Sequence, residues 1–282
     1  MKELGNTSEW NRKVEVLNSG FVQIIDFMGT DESISQAARV SYAKGTRKVS
    51  EDRDLIRFLM RHEHYSPFSM AQVKFHLRLP LFVHAQFIRH DRFSWNMMSG
   101  RYSVMPDEKW QPILPDDIRG QGSGNKQVGS GKLSEAAEED AFIAVESSNH
   151  RAQLDYQELL GLGVCREQAR TVLPQGQYTE GVVTANLGDW MLLLKQRLDS
   201  HAQQEIRVYA EAIQQILNQL FPISMEAFRD YQLNRVVLSA REYSALKLML
   251  SFPEEYCVES AAASQISNRR EQEEFIAKFR MD

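Results

Sequence analysis

Cysteine is scarce: the 282 residues include only Cys165 and Cys257. Two cysteines make no disulfide framework, so a reducing compartment, the cytoplasm, is the expected setting. Excess charge is scarce too. A net charge of −5 excludes a general nucleic-acid binder, which would be basic overall. No apolar run approaches the length of a membrane span, and the opening MKELGNTSEWNRKVEVL lacks the apolar region of a secretory signal. Neither nucleic acid nor membrane is therefore expected as a partner. Internal repeats, heptads, GxGxxG and a Walker loop are also missing, which removes those modes of nucleotide binding.

What is present is a chain with 43% hydrophobic residues, enough for one globular domain or a core with appendages. VEVLNSGFVQIIDFMG (14–29) predicts two short strands about an Asn18-Ser19-Gly20 turn. Asp31 stands where it can cap a helix running to Lys44. Ser50 can cap another with Leu55, Phe58 and Leu59 on one face, ended before Pro67. QVKFHLRLP (72–80) alternates apolar and polar residues, as a half-buried strand does. Pro80 suits the first turn of a helix to about His90, on which Gln86, Arg89 and His90 would share a face.

Beyond it, RFSWNMMSGRYS reads as loop or irregular strand, with Gly100 free to take a positive φ. The glycine- and serine-rich stretch 120–131 reads as a mobile surface loop. A long helix is expected between Ser134 and Gly161. A shorter one places Arg166 and Arg170 one turn apart and ends at Pro174. QYTEGVVTANL looks extended. Helical sequence then opens at Asp189 and runs to Phe221, pairing Arg197 with His201 at i, i+4. Two further helices, SAREYSALKLML and SNRREQEEFIAKF, look like appendages. Strands and helices without βαβ alternation give an α+β class.

The segment IRHDRFSWNMMSGRYS (88–103) gathers Arg89, His90, Arg92 and Arg101 with three serines. A guanidinium fork donates two parallel hydrogen bonds to a phosphate, and a serine hydroxyl and a glycine N–H can complete the cradle. Taken singly, each arginine is as readily explained by a surface ion pair with one of the 38 acids. Arg89, Ser99 and Arg101 together, in one short segment, point to an anion. His62 and His64 lack a cysteine or carboxylate cluster at ligand spacing, so no metal site is expected. Cys165 stands beside Arg166, which could lower its pKa, but it has no identifiable base and reads as structural.

Arg89-His90-Asp91, seven residues, then Ser99 resembles the Arg-His-Arg…Ser signature of the flavin-dependent thymidylate synthase family. AARVSY (37–42), HYSPF (64–68), FVHAQFIRH (82–90), SGRYS (99–103), NKQVGSG (125–131), REQARTVLP (166–174), RLDSHAQ (197–203) and SNRREQEEFIAKF resemble further family segments, in family order. The resemblance implies an α+β family fold, with a mixed sheet, long helices and active sites at subunit interfaces of a homotetramer. Residues 1–240 would form the catalytic domain and 241–282 a C-terminal helical extension. The implied reaction is methylation of dUMP at C5 to dTMP, with methylenetetrahydrofolate as carbon donor and FAD, reduced by NADPH, as hydride source. No enzyme cysteine attacks the uracil, in keeping with a structural Cys165.

Residue by residue, the resemblance assigns Gln86, Arg89, Ser99, Gly100, Arg101, Arg170 and His201 to the nucleotide, Arg170 from another subunit. Arg197 would polarise the uracil and favour ionisation at N3. Ser66, His64, His90 and Asn186 match flavin-side positions, and Arg92 stands where it could serve there. Departures from the pattern are Asp91 for Arg, Met97 for Glu, Ser69-Met70 for Glu-His, Gly188 for Arg and Leu192 for Asn. The alternatives are a UMP/dUMP methylase or hydroxymethylase, or a non-catalytic nucleotide-binding relative with impaired flavin chemistry.

Overall fold

A computed structural model describes residues 13–40, 52–122 and 129–238, together with 240, 243, 266 and 268–273. The expected extension of the first helix to Lys44, the Ser50 cap, the tip of the glycine-rich loop and most of SAREYSALKLML lie outside the described residues. The strands are β1 (Lys13–Val16), β2 (Gly20–Met28), β3 (Gln72–Pro80), β4 (Ser94–Met97), β5 (Gly120–Gln121), β6 (Gly129–Gly131) and β7 (Tyr178–Asn186). The helices are α1 (Asp31–Arg39), α2 (Asp52–Arg61), α3 (Leu81–Phe87), α4 (Glu135–Gly161), α5 (Arg166–Ala169), α6 (Leu187–Arg197), α7 (Gln204–Leu220) and α8 (Pro222–Phe228).

The alternating stretch 72–80 is the central strand of a five-stranded sheet ordered β1-β2-β3-β7-β4. Val73, Phe75, Leu77 and Leu79 are fully buried, while Gln72, Lys74, His76 and Arg78 face the half-exposed side. The α+β class holds. Within it every hydrogen-bonded strand pair is antiparallel rather than mixed; β3 and β4, joined through α3, run in the same direction but are kept apart by β7 between them. Five helices, α1, α2, α6, α7 and α8, supply the other half of the core. Trp190 of α6 seals it, edge-on to Phe75 with ring centroids 4.9 Å apart and donating to the Val73 carbonyl at 3.2 Å.

Helix ends differ from expectation where tertiary contacts decide them. Thr30, not Asp31, caps α1. Asp31 instead caps α8 across the fold: its carboxylate accepts from the Ile223 and Ser224 backbone N–H groups at 2.8 and 3.0 Å. Those are orphan donors of a helix that opens with Pro222. α3 stops at Phe87 instead of reaching His90, because the chain must turn to bury Phe93 against Trp190, 4.6 Å between centroids. Ser134 caps α4 and Gly161 ends it, as expected, and Gly163 beyond it takes a left-handed φ of 83°. The single long helix from Asp189 breaks at 198–203, where the Asp199 carboxylate takes the His201 backbone N–H at 2.8 Å and so competes with helical bonding.

Gly20 shows how tightly the sheet and α7 close. A Cβ there would lie 2.7 Å from the Val16 carbonyl oxygen and 2.9 Å from that of Arg78, besides overlapping the Tyr209 hydroxyl. That hydroxyl donates to the Arg78 carbonyl at 2.7 Å. Gly20→Ala is expected to cost about 1–3 kcal/mol through overpacking, measured as a lowered urea midpoint. An unchanged midpoint would mean the β1–β2 turn yields freely.

Candidate active site

The residues assigned to function fall into three groups. The first gathers at the C-terminus of α6. Arg197 donates from Nε to His90 Nε2 at 3.3 Å and from Nη2 to the Gln86 carbonyl at 3.3 Å. The Gln86 side chain in turn donates to Gln203 at 2.7 Å. So Gln86 and His90, which do not share a helical face as expected, are joined through Arg197. His90 is held down to about 4, chiefly by burial and then by the Arg197 charge, with Asp91 opposing. It is therefore neutral near pH 7, as its accepting nitrogen requires. Burial, then the charge of Arg89, lowers Arg197 itself. Arg197 has no carboxylate partner among the described residues: its bonds go to two neutral acceptors.

His201 is not a helical neighbour of Arg197, because the helix ends between them. It is exposed on the 198–203 turn, its Nδ1 2.7 Å from Asp199. It lines an open cavity of about 580 Å³ with Arg197, Leu192 and Lys195.

The second group surrounds Gly100. Its φ is not positive; closeness explains the glycine instead. An added Cβ would meet Met105 Sδ at 2.9 Å and Arg170 Cδ at 3.1 Å. Ser99 Oγ accepts from the Arg101 backbone N–H at 3.3 Å. Arg101 pairs with Glu167 at 3.3 Å, both well exposed, so an anion could displace that pair at little cost. Arg166 donates to the Tyr102 carbonyl at 3.0 Å. Ser99, Gly100, Arg101 and Arg170 are thus brought together, with no bond to the Arg197 group. Cys165 is exposed and is the N-cap residue of α5.

The third group sits at the start of α6. Asn186 ends β7 and caps the helix, accepting from the Asp189 N–H at 2.9 Å and donating to its carboxylate at 2.5 Å. Buried Asp189 also pairs with Arg92 at 3.3 Å. Arg92 is therefore tied to Asp189, which the sequence offers only as the start of a helix, although Asn186-x-x-Asp189 carries the spacing of a capping box. Arg92, Asn186 and Asp189 line a cleft of about 180 Å³ with Tyr65, Lys195 and Gln232. Ser69, Gly188 and Leu192, three of the departures, line the same cleft. Met97 lies across Gly181 of β7, where an added Cβ would overlap its sulfur.

Ser66, itself exposed, opens a 3-10 turn beside exposed Tyr65. His64 is exposed and packs edge-on to Phe58 at 6.0 Å, with His62 on the same ring at 4.4 Å. The His-Glu-His run is thus an aromatic cluster. No group of three or more His, Cys, Asp or Glu side chains placed to hold a metal occurs among the described residues, and no described helix is long and apolar enough to cross a membrane.

An antiparallel sheet that ends in a capped helix, with Arg197 at the far end of that helix and a cleft lined by Arg92, Asn186, Asp189 and Lys195 beside it, defines an α+β protein with two polar sites along one helix. Residues 23–223 match the family model described as thymidylate synthase complementing protein. The chain is 38% identical over 280 residues to the flavin-dependent thymidylate synthase of Rickettsia typhi, covering 95% of this chain and 93% of that one. It is 43% identical over 243 residues to the enzyme of the same name from Thermus thermophilus, covering 86% and 87%. A solved structure, the UMP/dUMP methylase PolB from Streptomyces cacaoi bound with 5-Br dUMP, superposes with a TM-score of 0.69 at 29% identity, over 78% of this chain and 99% of that one. The chain belongs to the flavin-dependent thymidylate synthase family, as its motifs led us to expect.

The neutrality of His90 generates a test. A histidine whose folded pKa lies below its unfolded value of about 6.5 is protonated first in the unfolded chain. Its contribution to stability is present above that value and is lost as pH falls from there through about 4. In a histidine-selective NMR titration the His90 ring is expected to stay neutral above about pH 5. Arg197→Met should move its midpoint upward. A wild-type midpoint near the unfolded value would show that neither burial nor Arg197 controls this ring.

Proposed function

We propose that this protein methylates dUMP at C5 to give dTMP, with methylenetetrahydrofolate as carbon donor and FAD, reduced by NADPH, as the flavin. The observation that carries this reading is Arg197, a half-buried guanidinium bonded only to neutral groups and further raised in energy by Arg89. Such a cation is set to stabilise negative charge developing on a pyrimidine ring. Neutral His90 and the Gln86 carbonyl hold its plane in place without quenching its charge. Arg89, Ser99, Gly100, Arg101 and Arg170 are assigned to the nucleotide, with His201 at the rim.

The third group suits a flavin nucleotide. Arg92, Lys195 and Asn186 are donors around an open cleft, and the buried Gln232 Nε2 beside them has no acceptor among the described residues. Bound there, with Ser66, His64 and His90 nearby on the same assignment, flavin would supply the reducing hydride. The cleft's 180 Å³ or so falls short of the roughly 300–1,000 Å³ of a ligand pocket, so one chain would hold only part of the cofactor. That favours sites shared across a homotetramer. α4 supports the same reading: it buries only Tyr156 over 27 residues and exposes Ile143 and Leu154. We take 1–240 as the catalytic domain, 241–282 as a helical extension, and the cytoplasm as the setting.

Tritium release from C5-labelled dUMP, dependent on folate, FAD and NADPH, tests the function; no release with all three would refute it. UMP is the second substrate to try, since the PolB neighbour was also solved with 5-Br UMP. Arg89→Ala, Ser99→Ala and Arg101→Ala are each expected to weaken dUMP binding by about 1.5–3 kcal/mol. Calorimetric titration with wild-type affinity in all three would rule out the phosphate assignment. Asp91→Arg adds a cation beside Arg92 and is expected to raise flavin occupancy, read as bound flavin absorbance per protomer. Equal or lower occupancy would mean that the aspartate belongs to the site.

A further inference from the structure

The far end of the chain supplies an acid to α2. Glu271 accepts two parallel bonds from Arg57, at 2.9 and 3.0 Å, and pairs with Arg61 at 3.1 Å. None of these three side chains is more than 15% exposed. The segment 268–273 is built to deliver this carboxylate. Asn268 caps its first turn, accepting from the Arg270 and Glu271 N–H groups at 3.0 and 3.2 Å. Its amide also donates to Asp54 of α2 at 3.0 Å. Arg270 lies over the Phe58 ring, 4.4 Å from its centroid. Three residues of one short segment, Asn268, Arg270 and Glu271, therefore meet Asp54, Arg57, Phe58 and Arg61 on one face of α2.

The same ion cluster grips a second element. Arg57 Nη2 donates to the Tyr231 hydroxyl at 2.8 Å and to Asp230 at 2.6 Å. Burial, then the bond with Glu271, pushes the Tyr231 hydroxyl up to about 12. Tyr231 sits in a π-helical turn, Arg229–Leu233, closed by the Asn234 N–H on the Arg229 carbonyl at 2.9 Å. Such wide turns are uncommon and recur at functional sites. The next residue, Gln232, is buried and points the other way. Its Oε1 accepts from Lys195 Nζ at 2.9 Å, and both residues line the cleft with Arg92 and Asn186. Gln232 Nε2, a buried donor, has no acceptor among the described residues. A lone donor of this kind is costly unless something in the cleft accepts from it.

We propose that Glu271 is a positioning residue, a latch that docks 268–273 on α2, fixes Tyr231 and its π-turn, and so holds Gln232 and Lys195 in the wall of the cleft. Its effect on flavin rests on the function proposed above; the latch itself does not. Removing the charge of Glu271 takes away the acid shared by buried Arg57 and Arg61 and the bidentate pair with Arg57, which weakens the buried cluster rather than a surface contact.

Hydrogen exchange and flavin titration on the full chain separate these links. Glu271→Gln keeps the shape of the side chain and removes its charge. Several-fold faster exchange is expected in 229–234, with β3 unchanged. FAD affinity is expected to fall about 10-fold, as for residues that act without touching a ligand, while dUMP affinity stays at the wild-type value. Gln232→Ala should reproduce the FAD loss, and the double variant should lose no more, since the two act through one contact. Tyr231→Phe removes only the hydroxyl link and is the variant to use if the charge change prevents folding; it too should speed exchange in 229–234. Unchanged exchange there in both variants would overturn the latch, as would equal acceleration in β3. Faster exchange with unaltered FAD affinity would overturn the link to the cleft. Failure of the wild type to bind FAD would contradict the flavin assignment, and exchange alone would then decide the latch.

Discussion

Much of this structure turns on the corner between β7 and α6. Asn186 is at once the last residue of a strand in the interior of the sheet and the cap of a helix. Its side-chain oxygen Oδ1 accepts from the Asp189 N–H, and its side-chain NH2 donates to the Asp189 carboxylate. The strand fixes where the corner lies, because β7 is paired on both sides, to β3 and β4. The cap fixes the direction in which the helix leaves. Eleven residues later the helix delivers Arg197, roughly 16 Å along its axis at 1.5 Å per residue. One end of α6 therefore faces the cleft of Arg92, and the other faces His90 and Gln86. Loosening the corner would move both ends together.

The sheet was legible in the sequence because its face is selected by simple alternation. Val73, Phe75, Leu77 and Leu79 could only point one way, and 72–80 forms a strand over its whole length. The Ser134 cap was legible for a similar reason, since a serine before a polar first turn has a local use. Helix ends were less legible, because what stops them lies elsewhere in the chain. α3 ends early in favour of Phe93, whose burial a local rule does not see. Asp31 looks like a cap for its own helix and instead serves one that begins 191 residues later, at Pro222.

The site was legible in its residue types more than in its geometry. Arg197, His90 and Gln86 were each identified by resemblance, yet the helical face expected for Gln86, Arg89 and His90 does not exist. What unites them is the guanidinium of Arg197, arriving from a different helix. Arg92 seemed free to replace the missing arginine at Asp91; in the fold it is already engaged with Asp189. Gly100 was read as free to take a left-handed backbone, and its glycine is explained by room instead, because an added Cβ would crowd Met105 and Arg170. Each difference has one cause: spacing along a chain gives neighbours on an element, while the partners of a functional side chain come from other elements.

The two arginine clusters of this protein make the distinction between structure and function physical. Arg57 and Arg61 are largely buried, and the acids Glu226, Asp230 and Glu271 surround them. Such a cluster holds elements together and has little left to offer a ligand. Arg197 is also substantially buried, but its hydrogen bonds go to an imidazole kept neutral and to a backbone carbonyl. Arg89 nearby adds repulsion rather than relief. Leaving a desolvated cation without a counter-charge costs stability, and that cost is recovered only when an anion arrives. A fold that needed Arg197 for packing alone would be better served by a carboxylate at Gln86 or His90. No carboxylate stands at Arg197 among the described residues, and on the function proposed above its charge is what negative charge developing on the pyrimidine would complete.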